Sequence, residues 1–337
     1  MITISHTPYS LLFKRPFGIS SGTRKGTDIV LVELTSNGFT GYGEASLPPY
    51  LEDNTKTVID FLSSLDLQQF HGPALSSTML DYVHTKRGNY PAKAAFDMAY
   101  HDLKGKCEGR TCAAMFGLDG KQGPVTTYTI GMAGKEQLPV ILEEAKSFPF
   151  LKIKAGSPGD RDWISRICSL AGKPFCVDAN QGWSSKEEAL DMIHFLNSKG
   201  AVFIEQPMKT TQEKDMAWLK LKSPLPLIAD ESFQTFDNLD KIKESFHGIN
   251  IKLMKCGGMR PAYELMQKAN AAGLKILLGC MSESSCGVTA AAQLFSLADW
   301  ADLDGPLLIT NDPFKGLRYD KGRILLNDMP GNGVTRK

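Results

Sequence analysis

The sequence is short of several things at once. It has no run of roughly eighteen apolar residues, which excludes a membrane-spanning helix of ordinary length. It has no excess of either charge. The 38 Lys and Arg against 37 Asp and Glu leave a formal net charge of +1, whereas a nucleic-acid-binding face needs concentrated basic residues. No low-complexity tract or block of like charge interrupts it. Its seven cysteines, an odd count, include no CxxC pair, which argues against a disulfide framework and against a cysteine-bound metal. The opening MITISHTPYSLLFK lacks the basic stretch and apolar core of a secretory signal. These absences predict a cytoplasmic protein with reduced thiols that works on neither membrane nor nucleic acid. They leave the choice between monomer and homo-oligomer open.

What is present is ordinary in composition and strongly patterned. With 337 residues, 42% hydrophobic and 22% charged, the chain fits about two globular domains. ITISHTPYSLLF, DIVLVELTS and FTGYGEA read as antiparallel strands, with SNGF as a hairpin turn. The glycines, serines and charges of KRPFGISSGTRKG, between the first two strands, predict a mobile loop. Helical spacing follows in NTKTVIDFLSSL, capped by Asn54 or Thr55, and in PAKAAFDMAYHDLKGK, which starts on a proline. From about residue 121, apolar strands alternate with helical segments. The strands are VTTYTIG, PFLKIKA, PFCVDA, AVFIEQ, PLIADE, GINIKL, KILLGC and ADLDG. One intervening helix, SKEEALDMIHFLNSKG, opens on Ser185 and Glu188 as a capping box and stops at Gly200. The pattern predicts an α/β fold: an α+β unit over 1–120, a TIM-type barrel over 121–305 and a C-terminal segment, 306–337, that returns to the first unit.

The chemistry lies in charged residues at the ends of those strands. Lys154, Asp178, Glu205, Asp230 and Lys252 follow one another at intervals of 24, 27, 25 and 22 residues. About 25 residues make one strand, one helix and two loops. The five groups therefore fall at the C-terminal mouth of a barrel, where active sites of this architecture sit. Asp178, Glu205 and Asp230 would repel one another unless a cation lay between them, and hard carboxylate oxygens suit Mg²⁺. Glu231 adjoins Asp230, and in a strand only one of the two can face inward. Asn180 and Gln206 can orient ligands or cap the next helix, and the cap is the plainer reading.

Lys152 and Lys154 point the same way by the two-residue period of a strand, which costs too much in a barrel interior without anionic partners. Lys252 and Lys255, three apart, face opposite sides of an extended strand, which assigns Lys252 to the mouth and Lys255 to the following loop. Strands two and six of an eight-membered ring are opposed. Lys154 and Lys252 thus sit on either side of a substrate held at the metal. This suits abstraction of a proton α to a carboxylate, stabilisation of the enediolate and reprotonation on the other face, a 1,1-proton transfer.

These motifs resemble the enolase superfamily, and within it the muconate-lactonising subgroup. The residues that carry the likeness are the KxK of Lys152 and Lys154, Asp178 in DAN, Glu205 in EQP, Asp230 in ADES, Lys252 in KLMKCGG and the segment PAKAAFDMAYHDLKGK. The resemblance implies an α+β cap over a modified (β/α)7β barrel, one Mg²⁺ and lysine bases, with Lys152 stabilising the enolate. It leaves several reactions open: o-succinylbenzoate synthesis, N-succinylamino acid racemisation, muconate-type cycloisomerisation and dipeptide epimerisation. Outside catalysis, a barrel that binds metal and ligand without turnover is a further reading. Asp302 and Asp304 in ADLDG, a counter-charge for an ammonium group, resemble the dipeptide epimerases. The same likeness makes Thr129, Met281 and Ser282 substrate contacts. Arg24 can meet a side-chain carboxylate on the second residue of a dipeptide, whereas Phe17, Ile19, Leu47 and Tyr50 can close over an apolar one. The expected activity is epimerisation of a dipeptide at the Cα of its C-terminal residue.

Overall fold

The computed structural model describes residues 2–19, 22–70, 75–132, 136–233 and 239–337. Three antiparallel strands come first: β1 (Thr3–Ile19), β2 (Gly22–Ser36) and β3 (Phe39–Leu47). Helices α1 (Thr55–Ser63), α2 (Ser77–Thr85), α3 (Tyr90–Glu108) and the short α4 (Cys112–Met115) follow. Among the described residues, the segment expected to be a mobile loop instead belongs to the β1–β2 ribbon. Phe17 pairs with Arg24 and Gly18 with Thr23, after a register shift between Leu12 and Phe17. Paired backbone overrides the loop-like composition there.

Asn54 caps α1 through a reciprocal capping box with Thr57, and Asn89 caps α3, accepting a hydrogen bond from the Ala92 N–H. The alanine face of α3 packs directly on β3. A Cβ on Gly43 would overlap the carbonyl of Ala95, so that glycine permits the close approach. Val30, Val32, Leu34, Val58, Leu62, Met79, Ala95 and Phe96 form a core that belongs to this unit alone.

The second unit runs β4 (Tyr128–Ile130), α5 (Leu138–Glu144), β5 (Leu151–Lys154), α6 (Asp160–Ala171), β6 (Phe175–Asp178), α7 (Lys186–Ser198), β7 (Ala201–Glu205) and α8 (Glu213–Lys222). It continues with β8 (Leu227–Ala229), α9 (Leu239–Ser245), β9 (Gly248–Ile251), α10 (Leu253–Cys256), α11 (Met259–Ala271), β10 (Lys275–Gly279), α12 (Ser285–Ala292) and β11 (Trp300–Asp302). The eight strands are parallel and in chain order, and a bridge between Thr126 and Ala301 joins the first to the last. No α-helix follows β11 among the described residues, so the ring is a (β/α)7β barrel.

Alternation along each strand sorts side chains between two cores. Leu151, Ile153, Val177, Ile204 and Ile249 face the helices. Phe150, Cys176, Phe203, Ile228 and Leu277 meet inside the ring and plug its floor. Two residues further along the same strands stand Lys152, Asp178, Glu205 and Asp230. The Ser185 hydroxyl of the α7 cap accepts the Glu188 N–H at 3.2 Å, while the Glu188 carboxylate turns to Ser184. All seven cysteines are free thiols.

The last residues lie against the first unit. The Asn332 N–H donates to Asp102 on α3 at 2.7 Å, Thr310 N–H donates to the Leu12 carbonyl at 2.9 Å, and Arg336 pairs with Glu33. A second join uses Glu44 of β3, which is fully buried and accepts the N–H of Ser284 at 2.8 Å as well as its hydroxyl. Burial, with the neighbouring Glu283 charge, pushes the Glu44 carboxyl up to about 8. Its proton is held more tightly folded than unfolded, so stability is lost as pH rises from the ordinary carboxylate value through about 8. In thermal melts between pH 6 and 9 the parent will lose about 2 kcal/mol more stability than Glu44→Gln. Parallel curves would remove Glu44 as the source.

Candidate active site

The mouth of the barrel opens into a cavity of about 790 Å³, lined by both units. Register sets its centre: Lys154 is paired with Asp178, and Asp178 with Glu205. Carboxylate oxygens of Asp178, Glu205 and Asp230 lie within 4.8 Å of one another, all buried. Lys154 Nζ donates to Asp178 at 2.6 Å, and Lys252 Nζ donates to Asp230 at 2.7 Å. The two lysines stand on strands two and six of the ring, with the carboxylates between them. Lys152 is 2% exposed and reaches Asp302 at 2.6 Å, Glu205 at 2.8 Å and Asp178 at 3.1 Å. Burial opposes its charge, yet these three carboxylates hold its pKa well above the ordinary lysine value.

The carboxylates are not equivalent. Burial and the charge of Asp178 push Glu205 up to about 7. Burial also opposes ionisation of Asp230, but Lys252 and Lys255 hold it well below the usual range. An all-oxygen donor set in which one member is driven towards neutrality by its neighbour fits a hard divalent cation.

Four expectations about neighbouring residues are corrected here. Lys255 does not turn away. The strand ends at Ile251, and the helical turn of α10 puts positions three apart on one face, so Lys255 Nζ donates to Asp230 at 2.7 Å beside Lys252. Glu231 does not face outward. The chain has left the strand at Ala229, and Glu231 lines the same cavity as Asp230. Asn180, at positive φ, caps no helix. It accepts from Lys154 at 3.2 Å and donates to Glu231 at 3.3 Å. Gln206 is likewise not a cap. Its Oε1 accepts the N–H groups of Asp230 and Ser232, both at 3.0 Å, and so shapes the turn carrying Asp230. Sequence reasoning missed Asn250, which donates to Glu205 at 2.7 Å. Its signal was its inward place in the alternating GINIK.

The remaining residues rim the cavity. Asp302 accepts from Lys152 and, at 2.6 Å, from the Thr127 hydroxyl, so it is already engaged. Asp304 accepts the Thr129 N–H at 2.6 Å, and burial together with Asp302 pushes it up to about 7. Met281 and Ser282 line the wall. Tyr50 touches the Met281 sulfur at 3.2 Å, and the Ser282 carbonyl accepts from Ser46 at 2.7 Å. The Arg24 guanidinium lies 5.7 Å from the ring centres of both Phe13 and Tyr50. Its Nε and Nη1 are buried without a hydrogen-bond partner among the described residues. Phe17 and Tyr50 also line the cavity, whereas Leu47 is buried in the core of the first unit. The side chain of Ile19 lies outside the described residues.

This cap, barrel and carboxylate centre define a class. Residues 2–117 match the mandelate racemase / muconate lactonizing enzyme N-terminal domain, and residues 140–337 match the enolase C-terminal domain-like family. The chain belongs to the mandelate racemase / muconate lactonizing enzyme family of the enolase superfamily, and it is an enzyme of the isomerase class. Among individual proteins it is similar to the L-Ala-D/L-Glu epimerase of Bacteroides thetaiotaomicron, 45% identical over 98% of this chain and 86% of that one. It superposes on a substrate-liganded complex of the L-Ala-D/L-Glu epimerase from Bacillus subtilis with TM-score 0.91, at 29% identity, covering 99% of this chain and 98% of that one. A dipeptide epimerase from Enterococcus faecalis, complexed with Mg and L-Leu-L-Tyr, superposes with TM-score 0.90 at 26% identity and 99% coverage of both chains. No helix among the described residues is long and apolar enough to cross a membrane.

Proposed function

We propose that this chain is a Mg²⁺-dependent dipeptide epimerase that inverts the Cα of the C-terminal residue by two-base 1,1-proton transfer. The observation that carries this is the placement of Lys154 and Lys252 on opposed strands, either side of one carboxylate centre. Asp178, Glu205 and Asp230 would hold the cation. When bound it supplies positive charge to the substrate carboxylate and so acidifies the adjacent Cα–H. One lysine, as the free amine, takes the Cα proton, while the other, as ammonium, returns one to the opposite face. Lys152 adds fixed positive charge beside the centre. Asp304 and Asp302 give the substrate α-ammonium its counter-charge, and Thr129 holds Asp304 in place. Met281 and Ser282 form the wall against which the peptide lies.

The second residue of the dipeptide is acidic in this reading. Arg24 lines the cavity, two of its donors are buried without a hydrogen-bond partner among the described residues, and burial lowers its pKa. Such a group favours a carboxylate because its donors are already without water, and a charge-assisted pair restores their hydrogen bonds. The test is solvent-deuterium wash-in at that Cα across a dipeptide library with Mg²⁺, where L-Ala-L-Glu is expected among the best substrates. Arg24→Leu should cut kcat/KM for it by roughly 10²-fold and leave apolar second residues nearly unchanged. No exchange with any dipeptide would end the epimerase reading. An Arg24→Leu enzyme that loses all dipeptides equally would end the assignment of Arg24.

A further inference from the structure

The two lysines are anchored differently. Behind Lys154 the loop is tied within the barrel: Asp160 on α6 accepts the N–H of Gly156 at 2.7 Å and of Ser157 at 3.2 Å. Behind Lys252 the chain makes the single turn of α10, passes Gly257 at φ +95° and Gly258 at φ +130°, and enters α11. The loop behind Lys154 has two such glycines as well, Gly156 at φ +101° and Gly159 at φ +91°, so the two connections differ in where their acceptor comes from. The α11 N-cap has no side-chain hydrogen bond from its own segment. The missing acceptor comes from 162 residues away, on the other unit. Asp97 of α3, fully buried, accepts the Met259 N–H at 2.6 Å and the Arg260 N–H at 3.3 Å.

The clamp is built from both sides. A Cβ on Gly258 would overlap Asp97, so only glycine lets the carboxylate come this close. His84 of α2 reaches Asp97 at 3.1 Å, and His101 reaches it at 3.2 Å. Burial alone would raise the Asp97 pKa, but His101 and His84 hold it well below the usual carboxylate range. The negative charge meets the positive end of α11. A second tie runs alongside: the Ser46 N–H of β3 points at the Met254 sulfur at 3.3 Å, and Met254 lines the cavity.

We infer that Asp97 is a positioning residue for the Lys252 face of the reaction, clamping the Lys252–Gly258 segment from the first unit while the Lys154 face stands without it. The inference rests on the two-base reading above. A displacement of about 1 Å in an acid–base group can cost 10²-fold, so a clamp seven residues from Lys252 can act through geometry alone.

The experiment follows exchange and inversion separately in D₂O, starting from each epimer of L-Ala-Glu in turn. In Asp97→Ala, epimerisation falls about tenfold with KM within about twofold. The ratio of exchange with retention to epimerisation rises for one epimer only, the one whose proton Lys154 removes. Asp97→Asn keeps an acceptor for Met259 N–H, and it should move the same way by less, which serves if the alanine variant does not fold. Hydrogen exchange gives a readout independent of substrate: amides 253–260 should lose protection while those of β5 and the Gly156–Ser157 turn do not. A ratio of exchange to epimerisation that rises equally from both epimers or from neither, or unchanged protection over 253–260, would overturn the inference. A parent enzyme that exchanges no dipeptide would overturn the function instead, leaving the amide protection to decide on the clamp.

Discussion

Lys154→Ala and Lys252→Ala will each lower epimerisation by roughly 10³-fold or more, while leaving deuterium wash-in with retention for one epimer apiece, and for opposite ones. The size follows from what a positioned acid or base contributes, on the order of 10²–10⁴-fold. The asymmetry follows from geometry. The lysines approach from opposed strands, and each rests on a different carboxylate, Lys154 on Asp178 and Lys252 on Asp230. Removing one leaves the other able to take a proton, exchange it with solvent and put it back where it came from. ¹H NMR in D₂O, started from each epimer, reads both quantities. If each variant exchanged both epimers, or neither, a two-base transfer could not stand. Substitution by Ala also leaves one carboxylate with a lost partner, so folding is checked by melting before the rates are compared.

Glu205→Gln will lower activity by roughly 10³-fold and abolish the stabilisation that Mg²⁺ gives the parent. Three carboxylates within 4.8 Å of each other are held together by lysines at the edges of the cluster, and Glu205 is the one pushed to about 7. A cation among them relieves that repulsion, and ligand binding to the folded state contributes about 2.7 kcal/mol at a concentration one hundred times Kd. The parent should therefore melt a few degrees higher with excess Mg²⁺ than with EDTA. The variant should melt at the same temperature in both, because a neutral amide weakens the site. Asn250 can still hydrogen-bond the Gln side chain, and Lys152 keeps two of its three carboxylates, so the change is confined to the centre. Melting that ignores Mg²⁺ in the parent would show that the triad holds no such ion.

The strand-end spacing made the barrel legible because a parallel strand, helix and return loop have nearly constant length. Lys154, Asp178, Glu205, Asp230 and Lys252 converge for that reason. The two-residue period also separated Lys152 and Lys154 from Leu151 and Ile153 correctly, since β5 is extended throughout. The same rule misplaced Lys255 and Glu231, because the chain leaves the extended conformation just before each of them. Period-two reasoning fails at the first residue past a strand, and active-site residues of this architecture sit there. The β1–β2 ribbon misled for another reason. Its composition read as loop, but among the described residues Phe17 and Gly18 pair with Arg24 and Thr23.

By itself, then, the sequence determined the alternating architecture, the inward carboxylates and lysines, and the need for a cation among them. Local period and strand-end position depend only on residues near in the chain. The tertiary structure alone decided which groups share partners: Asn250 on Glu205, Asn180 on Lys154, Lys255 on Asp230, Asp97 on α11. It alone placed Arg24 over the cavity with its donors idle. Those contacts join residues from 25 to more than 150 positions apart, and no local pattern encodes such a meeting. Packing of the first unit on the barrel brings Arg24 and Asp97 to their places, and it does so through surfaces whose apolar residues look alike in sequence.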